Sequence, residues 1–415
     1  MRVGEGEAPF ESGEVELEVD KSGIGDNPAK QIFGSSMAVF SSVPAPSTGS
    51  EAGGDLQDLI LAEIARSDGW IGFDRFMALA LYAPGLGYYT RGASQFGTMP
   101  AGVKDGGGDF VTAPVLSPLF GRALAVQVAD ALEASGTDEV WEFGAGTGAL
   151  AAQMLEALGD RVRRYTIVDV SGSLRARQQQ TLAAFGDRVV WADRLPESLR
   201  GVVVGNEVLD AMPVQLLARV GGAWHERGVV GDGTGGFAWS DRPTDLRPPV
   251  GIEGPHDYLT EIHPQGRAFV STLADRLAQG AVFLIDYGFP EAEYYHPQRH
   301  MGTVMCHREH RADGDPLVDV GVKDVTAHVD FTGIALAAQD AGLEVLGYTS
   351  QAHFLYNCGF ARMLDTLAPA QRGQPLLLVH EHEMGELFKA IALGRGVPAD
   401  WTPVGFRQGD RSHRL

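Results

Sequence analysis

Apolar residues recur at helical spacing near the start of the ordered pattern, at Leu56, Leu59, Ile60 and Ile64 and again at Phe73, Phe76, Met77 and Leu81. That period predicts two amphipathic helices, and Leu119 to Ala134 reads as a third. From Glu139 the pattern changes. The short apolar runs "EVWEF", "RYTIVDV", "RVVWAD", "GVVVGNEVLD" and "AVFLIDYG" read as strands. The segments "ALAAQMLEALG", "SLRARQQQTLAAFG" and "QGRAFVSTLADRLAQG" between them carry helical spacing. Strands alternating with helices of this length imply βαβ units and a parallel sheet, so the fold class is α/β. "VQLLARVGGAWHERGVVGDGTGGFAWS" interrupts the alternation as an antiparallel hairpin insert. Near the end, "TGIALAAQDAGLEVLGYTSQ" gives a helix and a strand, and "LFKAIALGRG" a last strand.

The segments outside this pattern divide the chain. Residues 1–54 are rich in Gly, Ser, Pro and Glu with few aromatics, which fits a disordered tail or a translation start set too far upstream. Residues 55–135 form an N-terminal helical region that contains the glycine-rich stretch Arg91–Gly108. Loops of that length in compact domains serve as lids or binding loops. A cofactor-binding core spans 136–290 with its insert at about 213–263, and 291–415 completes the sheet and lines a cleft. No internal repeat is visible.

The chain of 415 residues is 44% hydrophobic and 21% charged, the composition of a soluble globular protein. No apolar run approaches the ~20 residues of a membrane helix, so no membrane insertion is expected. The acidic N-terminus lacks an apolar signal region and is not arginine-rich. Cys306 and Cys358 stand far apart in no metal-type spacing, which argues against a disulfide framework and points to a reduced, cytoplasmic compartment. The formal charge of −21 argues against a nucleic-acid partner and suits a cationic substrate, although solubility alone would also account for it.

Candidate chemistry concentrates at "VWEFGAGTGAL". Gly144, Gly146 and Gly148, with Ala145 among them and Ala149 after, satisfy both a dinucleotide fingerprint and an S-adenosylmethionine turn. In either case the glycines let backbone approach a ligand at a helix N-terminus. Glu142 separates the two. A carboxylate beside the turn repels a pyrophosphate and attracts the ammonium and sulfonium of S-adenosylmethionine. Asp169, which ends the second strand within "IVDVS", can accept both ribose hydroxyls of either cofactor, or simply cap the next helix.

"GNEVLDAMP" ends the fourth strand at the edge where open parallel sheets bind ligands, so Asn206, Glu207 and Asp210 should face the pocket. Glu207 and Asp210 could clamp a guanidinium by charge-assisted hydrogen bonds and orient it for attack on a methyl group. Asn206 and Asp210 could instead cap a turn. Downstream, His307, His310 and His328 with Asp324 and Asp330 are dense enough to raise a metal site, but their spacing matches no metal motif. They are expected to shape the cleft or satisfy buried hydrogen bonds, with no metal.

Several stretches together resemble the MidA-type, DUF185 family: "FDRFMALALYAPGLGYY", "GDFVTAPVLSPLFG", "EFGAGTG", "NEVLDAMPV", "IDYGFP", "GTVMCHREH", "GVKDVTAHVDFTGI" and "MGELFKAIALGRG". They run in order from about 55 to 397, and residues before 55 have no counterpart. That family includes a mitochondrial complex I assembly protein arginine methyltransferase. The resemblance implies a seven-strand, Rossmann-like class I methyltransferase sheet with N-terminal helices and inserts. It implies S-adenosyl-L-methionine at Glu142, Gly144, Ala145, Gly146 and Gly148, with Asp169 at the ribose where relatives often carry Glu. It also places Asp109 and Thr112 of "GDFVTAP" and the "NEVLD" residues beside the reaction.

The reading is methyl transfer to an arginine of a protein substrate, with Glu207 and Asp210 catalytic beside Asn206. The family points to a respiratory NADH dehydrogenase subunit as that substrate, and a homodimer is one expectation for assembly. Three rivals remain open: a nicotinamide dehydrogenase, a small-molecule methyltransferase, and a non-catalytic assembly factor retaining the cofactor fold.

Overall fold

The structure is a computed structural model and describes residues 52–91, 112–169, 171–308 and 311–415. The chain enters through helix α1 (Ala52–Arg66), which buries Leu56, Ile60 and Ile64. A two-residue strand β1 (Ile71–Gly72) leads into α2 (Phe73–Tyr82), whose Phe73, Phe76, Met77 and Leu81 are buried as their spacing requires. Helix α3 (Pro118–Ser135) starts where the Ser117 hydroxyl accepts the Leu119 amide at 3.2 Å, and Gly136 ends it at φ +60°.

The alternation expected from Glu139 then appears in order. Strand β2 (Glu139–Phe143) feeds α4 (Ala149–Leu158), β3 (Arg164–Val168) feeds α5 (Gly172–Thr181), and β4 (Val189–Ala192) precedes β5 (Leu199–Asn206). The insert supplies β6 (Gln215–Val220), β7 (Ala223–Gly231), β8 (Phe237–Pro243) and β9 (Tyr258–Ile262). Helix α6 (Pro264–Arg276) returns the chain to β10 (Leu277–Phe289). After it come β11 (Met305–Arg308), β12 (Arg311–Asp313), β13 (Asp324–Thr326), β14 (Val329–Asp330), α7 (Phe331–Asp340), β15 (Glu344–Ser350), α8 (Gln351–Asn357) and β16 (Phe388–Arg395).

The large sheet runs β15-β16-β10-β5-β2-β3-β4, with the short β14 pairing on the end of β10 to make eight strands among the described residues. Pairing is parallel from β10 through β4. It is antiparallel at β16, against both β10 and β15, so the sheet is mixed rather than parallel throughout. The strand–helix alternation that implies parallel pairing stops at β15. Residues 351–387 between β15 and β16 form short helices and turns that let the last strand return the other way.

Both faces of the sheet are covered. Val140, Val202, Val204 and Phe283 pack with α3, α4 and α8, while Trp141, Val203, Val282 and Leu284 pack with α6 and α7. A strand buried on both sides has no polar face to show, which is why "GVVVGN" reads as an unbroken apolar run. The expected hairpin is antiparallel as anticipated and grows into a second sheet, in which β6 pairs with β7 and β9 and β7 also with β1 and β8. Helices α1 and α2 share a core with that sheet through Phe73, Phe76, Leu216 and Val229, and Cys306 and Val325 join from the small sheet β12-β11-β13.

The order of strands places the site. From β2 the chain steps outward to β3 and β4, then crosses back to β5 and β10 on the other side. Crevices for ligands open at such a reversal, outside the carboxyl ends of β2 and β5.

The central strands approach so closely that two positions tolerate no side chain. Gly280 lies at φ +137° and Gly201 at φ +141°, and a Cβ on Gly280 would overlap the Gly201 carbonyl. Gly280→Ala is therefore expected to destabilise the protein by roughly 3 kcal/mol, measured by urea unfolding, because strain and overlap act together. A loss below about 1 kcal/mol would contradict the close packing.

Candidate active site

The glycine turn leaves β2 with Gly144, Gly146 and Gly148 all at positive φ (+63°, +53°, +81°). Only glycine adopts such a sequence of conformations cheaply, so the backbone itself demands these residues. Gly148 caps α4 in the left-handed region, and a Cβ there would lie 3.4 Å from Gln178 Cα and 3.5 Å from Thr181 Cβ. The turn is thus packed against α5. The Thr181 hydroxyl donates to the Thr147 carbonyl at 2.9 Å, and Ala145 is buried beneath.

Glu142 sits one strand residue before Phe143, 2% exposed, where the Tyr165 hydroxyl of β3 donates to its Oε2 at 2.7 Å. Burial pushes its carboxyl up to about 8, with the nearby Asp169 charge adding to the shift and the Tyr165 bond opposing it. The sequence reading takes Glu142 as a standing negative charge. In the structure burial favours the protonated form of this group, and an approaching cation would favour the ionised one.

Asp169 directly follows β3, with two roles visible. Its Oδ1 accepts the Ser171 amide at 2.9 Å, and its Oδ2 accepts the Gln178 side-chain amide at 2.8 Å. The cap of α5 is Ser171, whose hydroxyl accepts the Leu174 amide, so Asp169 is not the helix cap. Gln178 is fully buried and also donates to the Gly146 carbonyl at 3.0 Å, while its own oxygen accepts Trp191 Nε1 at 2.9 Å. The sequence carries no signal for Gln178.

Across the crevice, β5 ends at Asn206 and turns sharply. Glu207 lies at φ +55°, a left-handed conformation rare outside glycine that stores backbone strain. Asp286 of β10 holds the turn: one carboxylate oxygen accepts the amides of Val208, Leu209 and Asp210 at 3.1, 2.9 and 3.2 Å. The Glu207 amide itself donates to the Ile285 carbonyl at 2.9 Å. Asp286 stands within the "IDYGFP" stretch, ending its apolar run as Asp169 ends "IVD". That shared position is the one sequence signal for it.

The acids at this turn are desolvated together. Burial raises Glu207 to about 8; the Asp210 charge adds to it, and the Asn206 side chain, donating to Oε1 at 2.7 Å, opposes it with the Ala113 backbone. Burial also raises Asp210 to about 6 against the Tyr287 hydroxyl and local amides. Two acceptors among the described residues are buried without a partner here, Asn206 Oδ1 and Asp210 Oδ1. Buried acceptors of this kind are costly, and they suit a ligand rich in N–H donors.

Around them stands a tyrosine wall. The Tyr82 hydroxyl donates to the Ala211 carbonyl at 2.8 Å, and the Tyr89 hydroxyl donates to both Asp324 oxygens at 2.9 and 3.0 Å. Burial and the charges of Asp324, Asp210 and Asp169 all raise Tyr82. The Tyr82 ring is thus influenced by carboxylates at the ends of both β3 and β5. Thr112 is half-buried at the head of the short turn Ala113–Leu116, the segment that meets Glu207. Asp109 lies outside the described residues, as do His310 and most of the glycine-rich stretch.

The remaining His and Asp residues are dispersed in role. Asp330 caps α7 by accepting the Gly333 amide, Asp324 holds Tyr89, and His328 packs between the rings of Tyr287 and Phe289. Among the described residues no group of three or more His, Cys, Asp or Glu side chains could hold a metal ion. No helix there is long and apolar enough to cross a membrane.

A family model described as "Putative S-adenosyl-L-methionine-dependent methyltransferase" matches residues 123–349. Protein arginine methyltransferase NDUFAF7 homolog, mitochondrial, from Caenorhabditis elegans is 27% identical over 378 residues, 80% of this chain and 85% of its own. The human protein of that name, also mitochondrial, is 26% identical over 376 residues, 79% of this chain and 81% of its own. A Burkholderia thailandensis protein crystallised with S-adenosyl-homocysteine bound is 50% identical, with a TM-score of 0.83 over 90% of this chain and all of its own. These relatives correct one expectation. Their mitochondrial names conflict with a cytoplasmic location, which rested on few cysteines and an acidic start. Scarce cysteines indicate a reducing compartment without saying which one.

The raised carboxyls fix how stability depends on pH. Glu142, Glu207 and Asp210 bind protons in the folded chain at pH values where the unfolded chain has lost them. Their stabilising contribution is therefore full below their ordinary values and is lost progressively as pH rises from there to about 6 for Asp210 and about 8 for Glu142 and Glu207. Melting temperatures of the ligand-free protein should fall across that window, and Glu207→Gln should flatten the fall. An unchanged slope in the variant would refute the assignment.

Proposed function

The chain belongs to the family of S-adenosylmethionine-dependent methyltransferases, and from that premise we propose that it methylates an arginine ω-nitrogen of a protein substrate. The observation that carries the acceptor chemistry is the pair of unpartnered acceptors, Asn206 Oδ1 and Asp210 Oδ1, buried beside Glu207. A guanidinium offers five N–H donors in a plane and a charge that does not titrate away, matching this set of oxygens. The arginine methyltransferase names of the mitochondrial relatives support the same reading, and the resemblance to a family that includes a complex I assembly protein would make an NADH dehydrogenase subunit the substrate. On this reading the seven strands from β15 to β4 form the class I methyltransferase sheet. The N-terminal helices and β6–β9 are then additions that wall the cleft.

Cofactor residues fall on the β2 and β3 side. Gly144, Ala145, Gly146 and Gly148 would bring backbone against the cofactor, Asp169 would accept its ribose hydroxyls, and Glu142 would ionise toward its cationic groups. Thr112, with Asp109 before it, would close the site. Bound S-adenosylmethionine supplies a methyl group on a cationic sulfur, which departs as a neutral thioether.

Glu207 and Asp210 face it from the β5 side. A guanidinium between them lowers their proton affinity, so both become ionised as it binds and clamp it by charge-assisted hydrogen bonds. The clamp fixes which nitrogen points at the methyl group. Arginine cannot lose its proton beforehand, so Glu207 takes it as the new N–C bond forms. Its high proton affinity in the empty site makes it the better of the two acceptors for that proton.

Calorimetry with the purified protein should show binding of S-adenosylmethionine and S-adenosylhomocysteine and none of NAD, with Glu142→Gln weakening the first. Labelled methyl transfer to arginine-bearing protein should fall about 100-fold or more in Glu207→Gln, while affinity for S-adenosylhomocysteine changes less than about threefold. Equal loss of turnover and affinity would overturn the role of Glu207. Binding of NAD alone would overturn the cofactor, and binding without transfer to any arginine would favour a non-catalytic assembly factor.

A further inference from the structure

Gln178 occupies an unusual position for a helical glutamine: fully buried, at the junction of the two cofactor elements and a third strand. Its side chain makes three hydrogen bonds to three separate segments. Nε2 donates to Asp169 Oδ2 at 2.8 Å and to the Gly146 carbonyl at 3.0 Å, and Oε1 accepts Trp191 Nε1 at 2.9 Å. The orientation of the amide is not ambiguous. Indole nitrogen only donates, whereas a carboxylate and a carbonyl only accept, so the oxygen must face Trp191 and the nitrogen must face the turn.

We propose that Gln178 is a positioning residue that ties Asp169 to the glycine turn, setting the carboxylate for the ribose hydroxyls. Asp169 follows the last residue of β3, where a free aspartate could choose among rotamers. The Ser171 amide holds its Oδ1, and Gln178 holds its Oδ2, so both oxygens are fixed. The same amide fixes the Gly146 carbonyl, and Trp191 stops the glutamine from rotating away. Gly148 allows this, because α5 approaches the turn to within 3.4 Å of where a Cβ would stand. Turn, acid and helix thereby move as one body, which places two ligand contacts at a constant separation. The inference rests on the assignment of Asp169 to the ribose.

The test compares S-adenosylhomocysteine with its analogue lacking both ribose hydroxyls, by calorimetry on the full chain. Gln178→Met keeps the length and removes the amide. It should weaken S-adenosylhomocysteine about tenfold, the scale of one hydrogen bond to a charged group, and leave the analogue within about twofold. Asp169→Asn serves as the reference and should show the same selective loss. Gln178→Glu keeps the Trp191 contact but sets a second acceptor against Asp169, so its loss should shrink as pH falls and the new carboxyl gains a proton to donate. Trp191→Phe provides a milder disturbance if Gln178→Met folds poorly, with a selective loss of about threefold. Equal weakening of both ligands by the Gln178 variants would overturn the proposal in favour of a purely structural role. Selective loss in Asp169→Asn with none in Gln178→Met would overturn it while sparing the ribose assignment. No selectivity in Asp169→Asn would overturn both.

Discussion

One carboxylate organises the reactive side of this protein. Asp286 reaches from β10 under the neighbouring strand and takes three consecutive amides, those of Val208, Leu209 and Asp210, on a single oxygen. A chain leaving a parallel sheet presents amides with no ladder partner, as the first turn of a helix does, and they need an acceptor from elsewhere. Asp286 supplies that acceptor. Burial and the charges of Asp210 and Glu207 push its proton affinity up while the amides pull it down, so the turn is held by a group under electrostatic tension. Glu207 can keep its left-handed backbone because its own amide is tied to Ile285 on the same strand. The register Ile285↔Asn206 between β10 and β5 thus decides where Glu207 points.

How much of this was legible beforehand depends on the range of the interaction. The glycine turn was legible because its cause is local: three residues at positive φ need three glycines, and the spacing records them. The hairpin insert and the strand–helix alternation were legible for the same reason, since periodicity of two or of 3.6 is written in neighbouring residues. The direction of β16 was not, because antiparallel entry beside β10 is settled by where the preceding helices leave the chain. Gln178 was invisible. It lies in a polar helix, "SLRARQQQT", where three glutamines stand in a row and only the folded contacts single out one of them. Asp286 was half visible, as an acid ending an apolar run, but its partners are more than 70 residues away.

Glu142 shows a subtler limit. Its residue type and spacing are visible in the sequence, whereas the burial that favours its protonated form is not. A carboxyl 2% exposed and bonded to a tyrosine is mostly protonated near neutral pH, and its value as a partner for a cation appears only when the cation arrives. Its discrimination against a pyrophosphate is correspondingly weaker than a fixed charge would give. Family membership therefore bears more of the cofactor assignment than this one side chain does.

The same physics gives the whole cleft its logic. Glu142, Glu207, Asp210 and Asp286 all hold their protons more tightly than ordinary carboxyls, and burial is the leading cause for each. A site that was permanently anionic would repel itself and open to water. One whose most buried acids favour their protonated forms when empty can remain closed by hydrogen bonds to Tyr165, Asn206 and backbone amides. A cationic ligand would draw out those protons and strengthen the charges that hold it. Part of the attraction is generated by binding rather than stored beforehand, and a neutral ligand of the same shape gains no such contribution. A preference for cations would follow from the burial and high proton affinity of Glu142 and Glu207 together with the charges of Asp169 and Asp210 beside them.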